Sequence, residues 1–102
     1  MNPFGGDPRK LMKQLQQAQE RIQAEIAALV VEATAGGGMV KVQMDGQKQL
    51  KSLTIDPEVV SKDDVEMLQD LILAAVNEAS RKVDDEVQSK VGGLTGGMKG
   101  LL

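Results

Sequence analysis

Two carboxylate pairs, Asp63-Asp64 and Asp84-Asp85, and a glycine run, Gly36-Gly37-Gly38, are the stretches whose residue types could do chemistry. Two carboxylates converging on one point can share a proton or hold a divalent cation. Neighbours on a helix point about 100° apart, so neither pair converges on one substrate or metal. The glycine run could cradle a phosphate, but no Lys-Ser/Thr follows it and no helix opens after it. It reads instead as a hairpin turn. The chain has neither His nor Cys. That removes thiol nucleophiles, imidazole and thiolate metal ligands, and the side chain that titrates nearest neutral pH. No stretch has the pattern of a calcium loop. The reading is therefore no enzyme, no metal and no cofactor. Phe4 is the one aromatic residue, so a stacking platform for single-stranded nucleic acid is excluded as well.

The elements that place these residues follow from periodicity. Val30 to Asp56 reads as three short antiparallel strands. Val40, Val42 and Met44 alternate with Lys41, Gln43 and Asp45, the period-two pattern of a half-buried strand. Asp45-Gly46 is a hairpin signal; a two-residue turn would set Val42 opposite Gln49, so a longer loop is expected. In Leu50 to Ile55, strict alternation puts Leu53 and Ile55 on one face and Leu50 on the other.

A helix precedes the strands and another follows. Asp7 is the expected N-cap of the first, with Pro8 at its first position. It runs to about Leu29 with an apolar stripe at Leu11, Leu15, Ala18, Ile22, Ile26 and Leu29. The second is expected to start from an N-cap at Ser61, with Asp63 and Asp64 in its first turn, and to reach about Val91. Its stripe is Val65, Leu68, Ile72, Ala75, Ala79, Val83 and Val87, widened by Leu71 and Val76. Residues 1–91 then form one α+β domain of order α-β-β-β-α, with a small antiparallel three-stranded sheet, two long helices and a loose start at 1–7. Residues 92–102, with five glycines, form a flexible tail.

Length and charge narrow the class. A chain of 102 residues is one domain by size. Its longest apolar run, Leu71 to Val76, is far short of a membrane span. No apolar leader core opens the chain, so a cytoplasmic protein is expected. The net charge is −3 but unevenly spread: four basic and two acidic residues lie in Met1–Arg21, against four basic and ten acidic in Asp56–Lys90. An acidic whole does not leave a generic nucleic-acid footprint, so any such binding must come from local basic patches. Helices of about 22 and 28 residues would span roughly 33 and 42 Å, while six-residue strands span only about 20 Å. The helices must overhang the sheet, whose face and edges stay open. A homodimer with the sheets together and the helical ends projecting is the economical arrangement.

At this point the residues resemble a known family. The Gln-rich helix LMKQLQQAQERIQAEIAAL, the strand segment TAGGGMVKVQMDG, LTIDPE, and DVEMLQDLILAAVNEASRKVDDE together resemble the YbaB/EbfC family of bacterial nucleoid-associated proteins. The final MKGLL departs from the Pro-Gly-containing tail that members often carry. The resemblance implies a tweezer-shaped homodimer with helical arms on a paired β core. It implies binding to double-stranded DNA with effects on DNA conformation, nucleoid organisation and gene expression. It also implies a nucleoid location and no catalysis.

In that light, Arg9, Lys10, Lys13 and Arg21 on the first helix are the best candidates for phosphate contacts. Arg81, Lys82 and Lys90 on the second helix, and Lys41 on the outward face of the central strand, are further candidates. Taken singly, each reads as readily as a solvated surface charge. Arg81 and Lys82 also have Asp85 and Glu86 four residues on, pairs worth about 0.2–0.5 kcal/mol each. Candidates for the contact between copies are Val40, Val42, Met44, Leu53, Ile55, Leu71 and Ile72. Asn77, in the apolar second helix, reads as an interface contact or a buried, bonded amide. A second reading is a helical-arm clamp for another polypeptide, either chaperone-like or a partner in DNA recombination or repair. Basic, polar arm tips favour DNA; exposed Leu and Met favour a protein.

Overall fold

A computed structural model describes residues 7–99, with side-chain surroundings through Gly92. Residues 1–6 of the expected loose start at 1–7, and the last residues of the expected tail, lie outside it. The order is α1 (Pro8–Ala28), β1 (Val30–Ala35), β2 (Val40–Asp45), β3 (Leu50–Ile55), a short 3₁₀ turn (Pro57–Val59) and α2 (Val65–Lys99). The strands form one antiparallel sheet in the order β1-β2-β3.

α1 starts as expected: the Asp7 carboxylate accepts from the Arg9 N–H at 3.0 Å, with Pro8 in the first turn. α2 starts later than expected. The Asp64 carboxylate accepts from the Met67 N–H at 3.0 Å, so Asp64, not Ser61, caps the helix that opens at Val65. Ser61 Oγ instead accepts from the Asp63 N–H at 3.2 Å within the preceding turn. Both residues can cap; the Asp64 carboxylate stands directly before the apolar run that opens at Val65 and takes the role. α2 also runs eight residues past Val91, to Lys99.

Two glycine positions shape the hairpins. Gly36, Gly37 and Gly38 all have positive φ, at 64°, 68° and 94°, and join β1 to β2 as a turn. Gly46 serves differently. It needs no positive φ; a Cβ there would run into the backbone carbonyl of Ile26 at the end of α1. The left-handed residue of that loop is Lys48, at φ 66°. The Asp45 carboxylate accepts from the N–H groups of Gln47 and Gln49, each at 2.9 Å, and shapes a four-residue loop. The longer loop expected from the register is therefore present, and Val42 faces Leu53.

The same pairing corrects β3. An irregularity between Gln43 and Met44 leaves Lys51 as the extra residue and sets Met44 against Leu50. Cross-strand partners share a face, so the bulge returns Leu50 to the face of Leu53 and Ile55.

The core lies between that face and α2. Val31 and Ala33 of β1, Val40, Val42 and Met44 of β2, and Ala75, Ala79 and Val83 of α2 are its buried members. Ala33, Ala75 and Ala79 are almost fully buried; having small side chains on both surfaces lets helix and sheet approach closely. Each buried valine contributes about 1.5–3 kcal/mol. α2 lies across β1 and β2, which leaves β3 bare: Leu50 and Leu53 are 46% and 45% exposed. The other sheet face is polar, with Glu32, Thr34, Lys41, Gln43, Ser52 and Thr54 in cross-strand register. The result is a rod of 77 × 24 × 15 Å.

Candidate nucleic-acid interface

α1 carries its cations on one side. At about 100° per residue, Arg9, Lys10, Lys13 and Arg21 fall within roughly 120° of arc, centred about 150° from the apolar stripe. Gln14 and Gln17 lie in or beside that arc and add amides that can bond phosphate oxygens. From Arg9 to Arg21 the face runs about 18 Å, the rise of roughly five phosphates on one strand. All four cations are exposed. Among the described residues, none of the four has an ion-pair partner. No residue of α1 is fully buried, so the helix offers this face without rearrangement.

The other candidate cations are placed differently. Lys41 Nζ lies 4.0 Å from the Glu32 carboxylate across the sheet's polar face. Arg81 holds Glu78 in a two-point contact, with Nε at 3.1 Å, and also reaches Asp85 at 3.5 Å. The guanidinium lowers the Glu78 pKa through hydrogen bonding and charge, and Glu78 raises that of Arg81 in return. Lys82 does not pair with Glu86; it donates to the backbone carbonyl of Glu32 on β1 at 2.8 Å. A lysine at that point of α2 faces a strand edge whose carbonyl accepts, and the closer acceptor takes it. Lys90 is half-buried and lies 3.8 Å from Glu25 of α1. The eight candidates thus divide into a free set on α1 and an engaged set on β2 and α2.

Three further lysines escaped the sequence reading. Lys48 pairs with Asp84 at 2.7 Å and ties the β2–β3 loop to α2. Lys51 and Lys62 are exposed, with no ion-pair partner among the described residues. Both stand off the two long helices, on β3 and in the turn before α2, where a search along helix faces does not reach. Lys62 stands among Asp56, Glu58, Asp63, Asp64 and Glu66, where the local field opposes an approaching phosphate.

The apolar candidates also divide. Val40, Val42 and Met44 are 0%, 0% and 3% exposed beneath α2 within one chain. They were expected between copies, but they have no area left to offer one; the single chain's own helix already covers them. Leu53 remains exposed, and Ile55, Leu71 and Ile72 are partly so. Leu50 and Leu73, the latter 61% exposed, join the open apolar surface. Asn77 is exposed rather than a buried amide. Among the described residues no His, Cys, Asp or Glu group is arranged to hold a metal, and no helix is long and apolar enough to cross a membrane.

Comparison with known proteins gives this geometry a context. The model of the YbaB/EbfC DNA-binding family matches residues 5–98. A nucleoid-associated protein of Acetivibrio thermocellus is 54% identical over 101 residues, covering 96% of this chain and 89% of the relative. One from Koribacter versatilis is 55% identical, covering 92% and 93%. The crystal structure of an uncharacterized protein from Helicobacter pylori superposes with a TM-score of 0.69 at 21% identity, over 83% of this chain and 89% of that one. That likeness concerns the fold.

Proposed function

We propose that this chain, which belongs to the YbaB/EbfC DNA-binding family, acts as a nucleoid-associated protein that binds double-stranded DNA as a homodimer. The α1 arm supplies the contacts. The observation that carries this reading is the division of the cations: Arg9, Lys10, Lys13 and Arg21 are exposed on one face with no ion-pair partner among the described residues, while those of β2 and α2 face carboxylates or a carbonyl. A cation beside a carboxylate presents that carboxylate's repulsion to the phosphate as well; one without such a neighbour releases counterions when it meets a phosphate. The contacts are to phosphates, since the arm offers charge and amides but no helix shaped to enter a groove and read bases. The role is architectural: arms gripping the backbone alter the path of the duplex, and with it nucleoid organisation and expression.

The second copy covers the bare face of β3, through Leu50, Leu53 and Ile55 with Ile72 and Leu73 beside them. An open edge strand with an apolar face favours such pairing. Two rods joined there would carry two arms, the tweezers that the family resemblance implies.

The test has two parts. Light scattering across micromolar concentrations should give twice the chain mass, and Leu53→Asp should give a single chain. Gel shifts with a labelled duplex should weaken as salt rises from low to physiological. A monomeric parent protein would overturn the dimer. Affinity that stays flat with salt would overturn phosphate-led binding, and absence of binding at low salt would turn the reading to a clamp for a protein, whose first check is a pull-down.

A further inference from the structure

We infer that the outer half of α1, residues 8–17, opens and closes as a local helix in the free protein, and that phosphate contact along Arg9, Lys10 and Lys13 holds it closed, so that the arm stiffens on the duplex. The closing by phosphate rests on the proposed function; the opening does not. From residue 8 to residue 17 every residue is exposed, and Ala18 is the first that is partly buried. Leu11, Met12 and Leu15 are 60%, 69% and 54% exposed. The inner half is anchored. Ile22, Ile26 and Leu29 are partly buried, Gly46 sits against the Ile26 carbonyl, and Glu25 lies 3.8 Å from Lys90.

Two observations show that the outer half is weakly held. The first is length. About three turns of helix stand off the body with no packed face, and a helix that short is marginal in water on its own. The second is charge. The N-terminus of a helix favours acids, and α1 has none in its first turn. It carries Arg9 and Lys10 there instead, while Glu25 stands in its last turn, where cations are favoured. Each such mismatch shifts the balance towards coil by roughly twofold to fivefold. Arg9 and Lys13 are four residues apart, and Lys10 and Lys13 three, so like charges also crowd one face. Among the described residues, none of these cations has an ion-pair partner to relieve it. The Asp7 cap works the other way, against the opening. α2 is built in the opposite sense to α1: Asp64 caps it, Glu66 stands in its first turn, and Ala75, Ala79 and Val83 are buried.

A strand of phosphates removes what opposes the helix. Its charge offsets the crowding of Arg9, Lys10 and Lys13 and suits the N-terminal end of the dipole. The three cations stand on one side only while the segment is helical. A run of phosphates therefore binds the closed state better and shifts the balance to it. The cation face needs no rearrangement once helical; the phosphates change how often it comes apart. Part of the contact energy then goes into ordering the arm, and affinity for the duplex depends on how firmly α1 is capped.

The test uses the full chain. In amide hydrogen exchange without DNA, residues 12–17 should exchange faster than residues 75–83 of α2 by about a hundredfold or more. A short duplex at low salt should slow residues 12–17 by about tenfold or more while the sheet amides hold. Equal protection of the two stretches in the free protein would overturn the opening. Unchanged exchange of residues 12–17 with the duplex bound would overturn the closing. Asp7→Ser and Asp7→Ala then separate the cap from its charge, since both lose the carboxylate and only serine can cap. Asp7→Ala should bind the duplex about threefold more weakly than Asp7→Ser. Equal affinity of the two would overturn the coupling of cap to binding, while salt-dependent binding by the parent would leave the proposed function standing. No binding by the parent at low salt would overturn that function and the closing together.

Discussion

Neutralising Lys10 and Lys13 separates the free cations from the engaged ones. Each phosphate neutralised contributes about 0.9 to the slope of log affinity against log salt. One α1 arm with Arg9, Lys10, Lys13 and Arg21 all in contact gives a slope of about −3.6, or about 150-fold weaker binding between 50 and 200 mM salt. Lys10→Gln with Lys13→Gln leaves two contacts, a slope of about −1.8 and a loss of about 12-fold over the same range. If both arms of a dimer hold one duplex, the slopes double to about −7.2 and −3.6. The control is Arg81→Gln with Lys82→Gln. Those charges are committed to Glu78, Asp85 and the Glu32 carbonyl, so the slope should stay within about 0.5 of the parent's, less than one phosphate contact. The assay is fluorescence anisotropy of a labelled duplex, titrated at four salt concentrations, with light scattering to check that each variant keeps the parent's mass. A control that flattens the slope as much as the α1 variant would refute the division of cations. An α1 variant with the parent's slope would refute the arm as the contact surface.

Other outcomes follow from the packing and the ion pairs. Gly46→Ala should destabilise the fold by about 1–3 kcal/mol, because the Ile26 carbonyl must be displaced. That corresponds to roughly 4–8 °C of melting temperature per kcal/mol, and a drop of less than about 2 °C would show that the hairpin is not pinned to α1. Val42→Ala, at a position 0% exposed, should cost about 2 kcal/mol through lost burial and the cavity left behind; the urea midpoint should fall with its slope unchanged. Glu78 should titrate below the ordinary glutamate range, because Arg81 bonds its carboxylate, and Arg81→Gln should return it there. A lowered folded pKa means that its contribution is present above the ordinary value and fades as pH falls through the folded one. A proton-coupled NMR titration reads both midpoints, and an unmoved Glu78 midpoint in the variant would break the assignment.

Periodicity and short-range capping were legible in the chain because their physics is local. Alternation at Val40, Val42 and Met44, the steps of three and four from Leu11 to Leu29 and from Val65 to Val87, and the Asp7-Pro8 start each depend on neighbours within a few residues. Together with the resembled motifs they were enough for the α-β-β-β-α order and the family. The choice between Ser61 and Asp64 as cap was not legible, because two competent residues stood three apart ahead of the same apolar run. Nor was the face of Leu50, since one extra residue at Lys51 inverts the alternation without any change in composition. What only the tertiary structure decided was partnership across long separations. Lys82 meets a carbonyl fifty residues away, Lys90 meets α1, and α2 takes Val40, Val42 and Met44 for its own core. Which charges stay free for a phosphate, and which apolar faces stay open for a second copy, are remainders after those contacts form. No window of sequence contains both sides of such a contact; α1 stood out from the sequence as the best basic candidate, and the fold decided that the cations of β2 and α2 face carboxylates or a carbonyl while those of α1 do not.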